Sequence, residues 1–171
     1  MADCRAPLPD RGYPPAMRLR NVALACLALL GLAQLVPIAR TNPAVEQEVD
    51  APPEVRTVLE RSCYDCHSHA TRWPWYAWVA PVSWLVAHDV DEGREHLNFS
   101  TWNRYDAEER GENLEEIAEM VEEGEMPPWF YLPLHPEARL SDAELATLRA
   151  WTDTRPSGGG KRANGHEGHE H

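Results

Sequence analysis

A chain of 171 residues has room for one modest domain plus appendages. Its formal charge of −12 is unevenly spread, with 24 Asp and Glu against 9 Lys and Arg between Thr41 and Arg155, a balance of −15. Such a surface repels nucleic acid and favours a basic partner approached by salt-sensitive steering. The four cysteines do not make a disulfide scaffold, because only the close pair Cys63 and Cys66 falls where a folded domain is expected.

Residues 1–16 are rich in Pro and Arg without a period, and Met17 is a candidate start. Val22 to Ala39 then runs 18 residues without a charge, which as a helix would reach about 27 Å, near the thickness of a bilayer's hydrocarbon core. Gln34 and Pro37 weaken it only toward one end. Arg5, Arg11, Arg18 and Arg20 precede the run, and Arg40 alone follows before the acidic stretch. The positive-inside tendency therefore predicts residues 1–20 in the cytoplasm, 21–40 in the membrane and the rest outside it. A cleaved signal peptide is the rival reading, but the run is long and no small-x-small site follows. Cys26 has too little apolar sequence before it to be a lipidation cysteine.

Residues 41–51 read as a polar linker and 52–155 as the folded domain. Its first helix is PPEVRTVLERS, opened by prolines, with Val55, Val58 and Leu59 as an apolar stripe running into Cys63. The Trp-Pro-Trp-Tyr stretch from His69 to Tyr76 reads as a packed irregular loop. Pro81 opens a second helix to about Glu95, with Val82, Leu85, Val86 and Val90 expected inside. A third helix spans Asp106 to Glu123, with Leu114, Ile117 and Val121 on its inner face and Gly124 as its stop. The segment GEMPPWFYLPLHPEARL is too Pro-rich for a helix. Ser141 and Glu144 form a capping box for the last helix, whose Leu145, Leu148 and Trp151 point inward. Residues 156–171 are a low-complexity tail expected to be disordered; its His166, His169 and His171 offer no preformed metal geometry. The fold class is therefore mainly α, about four helices behind an N-terminal apolar one.

Cys63-Tyr-Asp-Cys66-His67 is a C-x-x-C-H motif. Two thiols at this spacing can reach two neighbouring vinyl groups on one edge of a haem, and the adjacent His can turn beneath the iron as proximal ligand. A thioredoxin-like C-x-x-C would want a βαβ context, which the pattern lacks. A zinc site would need two further ligands, with no second cysteine pair to supply them. A disulfide closing so short a loop would constrain little. The expected cofactor is one covalent haem c.

Candidates for the second axial position are Met120, Met126, His69, His88, His96 and His135. Met120 continues an apolar helical stripe, so packing accounts for it, whereas Met126 stands in a loop before Pro127 and Pro128 that stiffen it into a shelf. Met126 is the preferred ligand, with His88 and His135 as the histidine alternatives. Trp73, Trp75, Tyr76, Trp78 and Trp84 are expected as walls of the pocket or as core, and Arg72 and Arg94 are candidates to pair with haem propionates, with surface ion pairing an equal alternative.

The strings SCYDCHS, WPWYAWVAPVSWLV, EGREHLNFSTW, GEMPPWFY and LHPEARLSDAEL resemble a bacterial family of haem-binding domain proteins related to cytochrome c, over about Val45 to Thr154. The resemblance implies haem c on Cys63, Cys66 and His67, a helical cytochrome c-like fold, and one N-terminal membrane segment. The Met-Pro loop of cytochromes c falls on Met126-Pro127. The combined expectation is a single-pass protein of the bacterial cytoplasmic membrane, its domain facing the periplasm. It would exchange electrons with a basic redox partner and act on no small-molecule substrate as an enzyme. A gas or redox sensor with a displaceable sixth ligand is the alternative.

Overall fold

The computed structural model describes residues 15–154; the expected cytoplasmic segment up to Pro14 and the 156–171 tail lie outside them. Among the described residues there are six α-helices and no strand: α1 Pro15–Ala33, α2 Pro53–Ser62, α3 Tyr64–His67, α4 Val82–His96, α5 Ala107–Glu122 and α6 Asp142–Thr152. Short 3₁₀ turns at Trp75–Trp78, Trp102–Arg104 and Pro136–Ala138 punctuate the loops.

Helix α1 begins and ends earlier than the uncharged run suggests. It takes in Arg18 and Arg20 and stops at Ala33, four residues before Pro37, which cannot continue a helix. Its Ala16–Ala33 stretch is long and apolar enough to cross a membrane, and none of it is buried among the described residues.

The remaining helices close on one core of Val49, Val55, Val58, Leu59, Tyr64, Phe99, Trp102, Ile117, Val121, Leu148 and Trp151. The α2 stripe is as expected, with Val55, Val58 and Leu59 all buried. Local chemistry sets the ends of α5 and α6. Asp106 accepts the N–H groups of Glu108 and Glu109 while Glu109 reaches back to the Asp106 N–H, and Ser141 and Glu144 make the same reciprocal cap on α6. Gly124 takes φ +74° after α5, where any side chain would be strained.

Three expectations are corrected. On α4 the inward residues are Ser83, Ala87, Val90 and Gly93, while Val82 and Leu85 are 41 % and 61 % exposed, so the buried stripe is shifted around the helix. Trp75, Trp78 and Trp84 are also exposed rather than walls or core. Residues 41–51 are not a free linker. The N–H of Val49 bonds to the Phe99 carbonyl at 3.0 Å, those of Glu46 and Gln47 bond to the Ser100 carbonyl, and Gln47 makes a parallel bridge with Thr101. Val49 itself is a core residue.

Candidate haem site

The C-x-x-C-H segment is shaped by a break between two helices. Helix α2 ends at Cys63, whose φ −124° and ψ −36° leave helical geometry. The Cys63 carbonyl then accepts the N–H groups of Cys66 at 3.2 Å and His67 at 3.0 Å, starting the single turn α3. That turn brings both cysteines and the histidine onto one wall of a cavity of about 430 Å³, within the usual range for cofactor sites.

The His67 ring is oriented by α4. Its Nδ1 lies 2.9 Å from the carbonyl oxygen of Gly93 and 3.1 Å from that of Leu97, both acceptors only. Nδ1 therefore carries the proton, and Nε2 keeps its lone pair as a ligand atom. Burial is the main reason that the His67 pKa falls below its ordinary value, which favours this neutral form. Phe99 meets the imidazole edge-on, with ring centres 6.4 Å apart.

Burial also pushes the Cys63 thiol up to about 12 and the Cys66 thiol up to about 11, with neighbouring acidic groups adding to the second. No disulfide joins the two, and their raised values favour the protonated thiol over the thiolate. Among the described residues no group of three His, Cys, Asp or Glu is arranged to hold a metal ion by itself.

Helix α5 and the loop after it line the rest of the cavity. Met120, Ile117 and Val121 line the cavity from the helix, and Met126, Pro127, Pro128, Phe130 and Tyr131 line it from the loop. Met126 is placed by its backbone. The N–H groups of Glu125 and Met126 both bond to the Met120 carbonyl, at 3.0 and 3.1 Å, beyond the turn at Gly124. The loop is then pinned to the motif, because the Tyr131 hydroxyl donates to Asp65 Oδ2 at 2.8 Å while Arg72 holds the same carboxylate through Oδ1 at 3.1 Å. This Asp65 hub was invisible in the sequence, where Asp65 is only a spacer between two cysteines.

Of the other candidates, Met120 and His96 also line the cavity, and the rest fall elsewhere. His88 is exposed and paired with Glu92 at 3.3 Å. His135 stacks on Tyr131 and bonds the Tyr76 hydroxyl at 2.7 Å, outside the cavity lining. His69 bonds the Ala44 carbonyl and the Asn98 amide. His96 does line the cavity, beside Asp89, Glu92 and Glu116. Arg94 is committed to the backbone oxygens of Ser68 and Thr41 and to the side chains of Asn42 and Thr71, and Arg72 to Asp65. Neither expected propionate partner lines the cavity.

The donor set suits a haem: a largely apolar slot lined by one neutral imidazole nitrogen, the thioethers of Met120 and Met126, and two thiols. Comparison with known proteins agrees. The profile of a haem-binding domain family matches residues 28–154. The chain is also 27 % identical over 143 residues to the cytochrome c peroxidase Ccp of Escherichia coli (strain K12). That match covers 80 % of this chain and 30 % of Ccp, so the chain spans less than a third of that relative. No solved structure matches. With most of its length covered by the family profile, this chain belongs to the haem-binding domain family.

Proposed function

We propose that this protein is a membrane-anchored monohaem c-type cytochrome. It would carry single electrons on the outer, periplasmic face of the bacterial cytoplasmic membrane. The observation that carries the reading is the His67 ring, fixed by two backbone carbonyls so that its free nitrogen is left to a cavity that Met126 also lines. A bound haem supplies a one-electron Fe(III)/Fe(II) couple.

The chain's own residues do the rest. Cys63 and Cys66 hold the group covalently, so it is retained whatever its oxidation state. His67 and Met126 would supply its iron with an imidazole nitrogen and a thioether sulfur, and a neutral thioether favours the reduced state. Ile117, Val121, Phe99 and the two prolines keep water from the centre, which lessens the solvent rearrangement accompanying each electron. The acidic surface steers a basic redox partner, and α1 holds the protein at the membrane.

A second reading has its own observations. Met126 is 37 % exposed, and the relative Ccp is named a peroxidase. A displaceable Met126 would open one coordination position for a gas or a peroxide, giving a sensor or an enzyme. A peroxidase would want a distal acid/base pair, and His88 with Asp89 or His135 does not supply one, since both histidines are engaged outside the slot.

Optical spectra of the haem-loaded protein, oxidised and reduced, with and without carbon monoxide, separate the readings. The carrier requires a low-spin spectrum indifferent to carbon monoxide, with a weak red ferric band that Met126→Ala abolishes. A high-spin wild type that takes up carbon monoxide at once would sink it and bring the sensor and enzyme forward.

A further inference from the structure

The residues from Trp73 to Ala87 carry no charge at all, in a chain with 28 acidic side chains. Burial does not explain this. Within that stretch Trp75 is 76 % exposed, Trp78 61 %, Leu85 61 %, and Val79, Val82 and Trp84 are open as well. An ordinary soluble surface interrupts such a run with charges, and an exposed apolar patch of this size marks a contact.

The neighbouring chain says what covers it. Gln34 is the first residue after α1, and its side-chain amide pairs with the backbone of Ala80 in both directions: Nε2 donates to the carbonyl at 3.2 Å and Oε1 accepts the N–H at 3.1 Å. Six residues on, Arg40 donates from Nε to the Ala77 carbonyl at 2.7 Å, and its guanidinium sits 4.3 Å over the Trp78 ring. The open aromatic loop is thus fastened to the mouth of α1. Leu35 and Val36, between these two fastenings, are exposed too.

We propose that residues 75–85 rest in the headgroup region of the lipid bilayer beside the exit of α1. This rests on reading α1 as a membrane-crossing helix. A helix of 19 residues rises about 28 Å, close to the hydrocarbon thickness, so Ala33 ends near the boundary and Gln34 lies in the interface. Whatever the amide of Gln34 touches lies at that depth. Tryptophan is the residue that suits this layer, with a large flat apolar face and an N–H that still needs water or a headgroup oxygen. The backbone there is also prepared for it. The loop is a compact 3₁₀ turn that bonds Ala77 N–H to the Pro74 carbonyl and Val79 N–H to the Tyr76 carbonyl, so few polar groups are left open. A bilayer, unlike a protein partner, must be present wherever α1 is inserted.

Lipid photolabelling tests this on the full haem-loaded chain in phosphatidylcholine vesicles doped with a phospholipid whose carbene forms near the glycerol. Digestion and mass spectrometry should find adducts on α1 and on the peptide containing residues 75–85. Trp75→Ser/Trp78→Ser should lose several-fold of the loop adducts while its haem spectrum is unchanged. Adducts on α1 with none on 75–85 would overturn the inference and leave the anchor standing. Adducts on neither would remove both, and loop labelling indifferent to the double substitution would overturn the role given to the tryptophans.

Discussion

Gly93 and Cys66 meet backbone to backbone. A Cβ built on Gly93 would stand 2.9 Å from the Cys66 carbonyl oxygen and 3.1 Å from the Cys66 Cβ, so only a bare Cα lets α4 approach the haem motif this closely. The same closeness lets the Gly93 carbonyl hold His67.

Gly93→Ala must therefore push α4 from α3. A loss of about 1–3 kcal/mol is expected, together with a perturbed proximal ligand. Gly111→Ala is the control, since nothing lies within 4 Å of its would-be Cβ in α5; there a gain of roughly 0.5–1 kcal/mol is expected. Urea midpoints of the two variants would settle the contrast, and equal effects would remove the packing argument.

Arg94 is a clamp rather than an anion site. Its guanidinium ties Thr41 and Asn42 to Ser68 and Thr71, so Arg94→Ala should free the stretch before Glu46. Arg94→Lys should rescue it only in part, because an ammonium cannot span four acceptors in a fork. Amide hydrogen exchange over 41–49 reads this directly, with faster exchange expected in Ala than in Lys.

Tyr131→Phe removes the hydroxyl that fastens the Met126 loop to Asp65. A hydrogen bond to a charged acceptor contributes roughly 1.5–3 kcal/mol. The loss should appear as looser Met126 coordination, measured as faster carbon monoxide entry into the reduced protein with the static spectrum largely intact. Unchanged entry would mean that the loop is held by its backbone alone.

Glu144 supplies a pH dependence. The backbone N–H and hydroxyl of Ser141, and then Arg61 at 2.7 Å, hold its carboxyl down to about 2. Its folded pKa lies below the unfolded one, so its stabilisation is present at neutral pH and is lost as pH falls through the usual carboxylate range toward 2. Glu144→Gln keeps an oxygen for the Ser141 N–H but loses the charge that Arg61 and the helix N-terminus favour, so it should be less stable than wild type by roughly 0.5–1 kcal/mol at pH 7. The gap should narrow steadily as urea melts are repeated down to the acid limit.

What the sequence shows well is local. The Ser141–Glu144 capping box and the Gly124 stop depend on residues close in sequence, and each stands where its spacing puts it; Asp106 and Glu109 make a second box at the same spacing. Long-range polar ties are where it fails. Nothing marks Asp65 as the partner of Tyr131, 66 positions away, or Arg94 as the holder of Thr41. On α4 the failure has a different cause. Apolar periodicity reports which residues are water-averse, not what covers them, and Val82 and Leu85 lie on a face the protein itself leaves open.

The anchored stretch 41–51 bears on how far the domain can travel. A slack coil of 11 residues would let its cargo wander about 18 Å in any direction. Here Asn42, Ala44, Glu46, Gln47 and Val49 are each tied to the domain, and Gln34 and Arg40 tie the chain just before them. The stretch acts as a mast and not a leash: it sets the cavity at one height and one heading beyond the end of α1, and under the proposed function a redox partner would have to dock at that height.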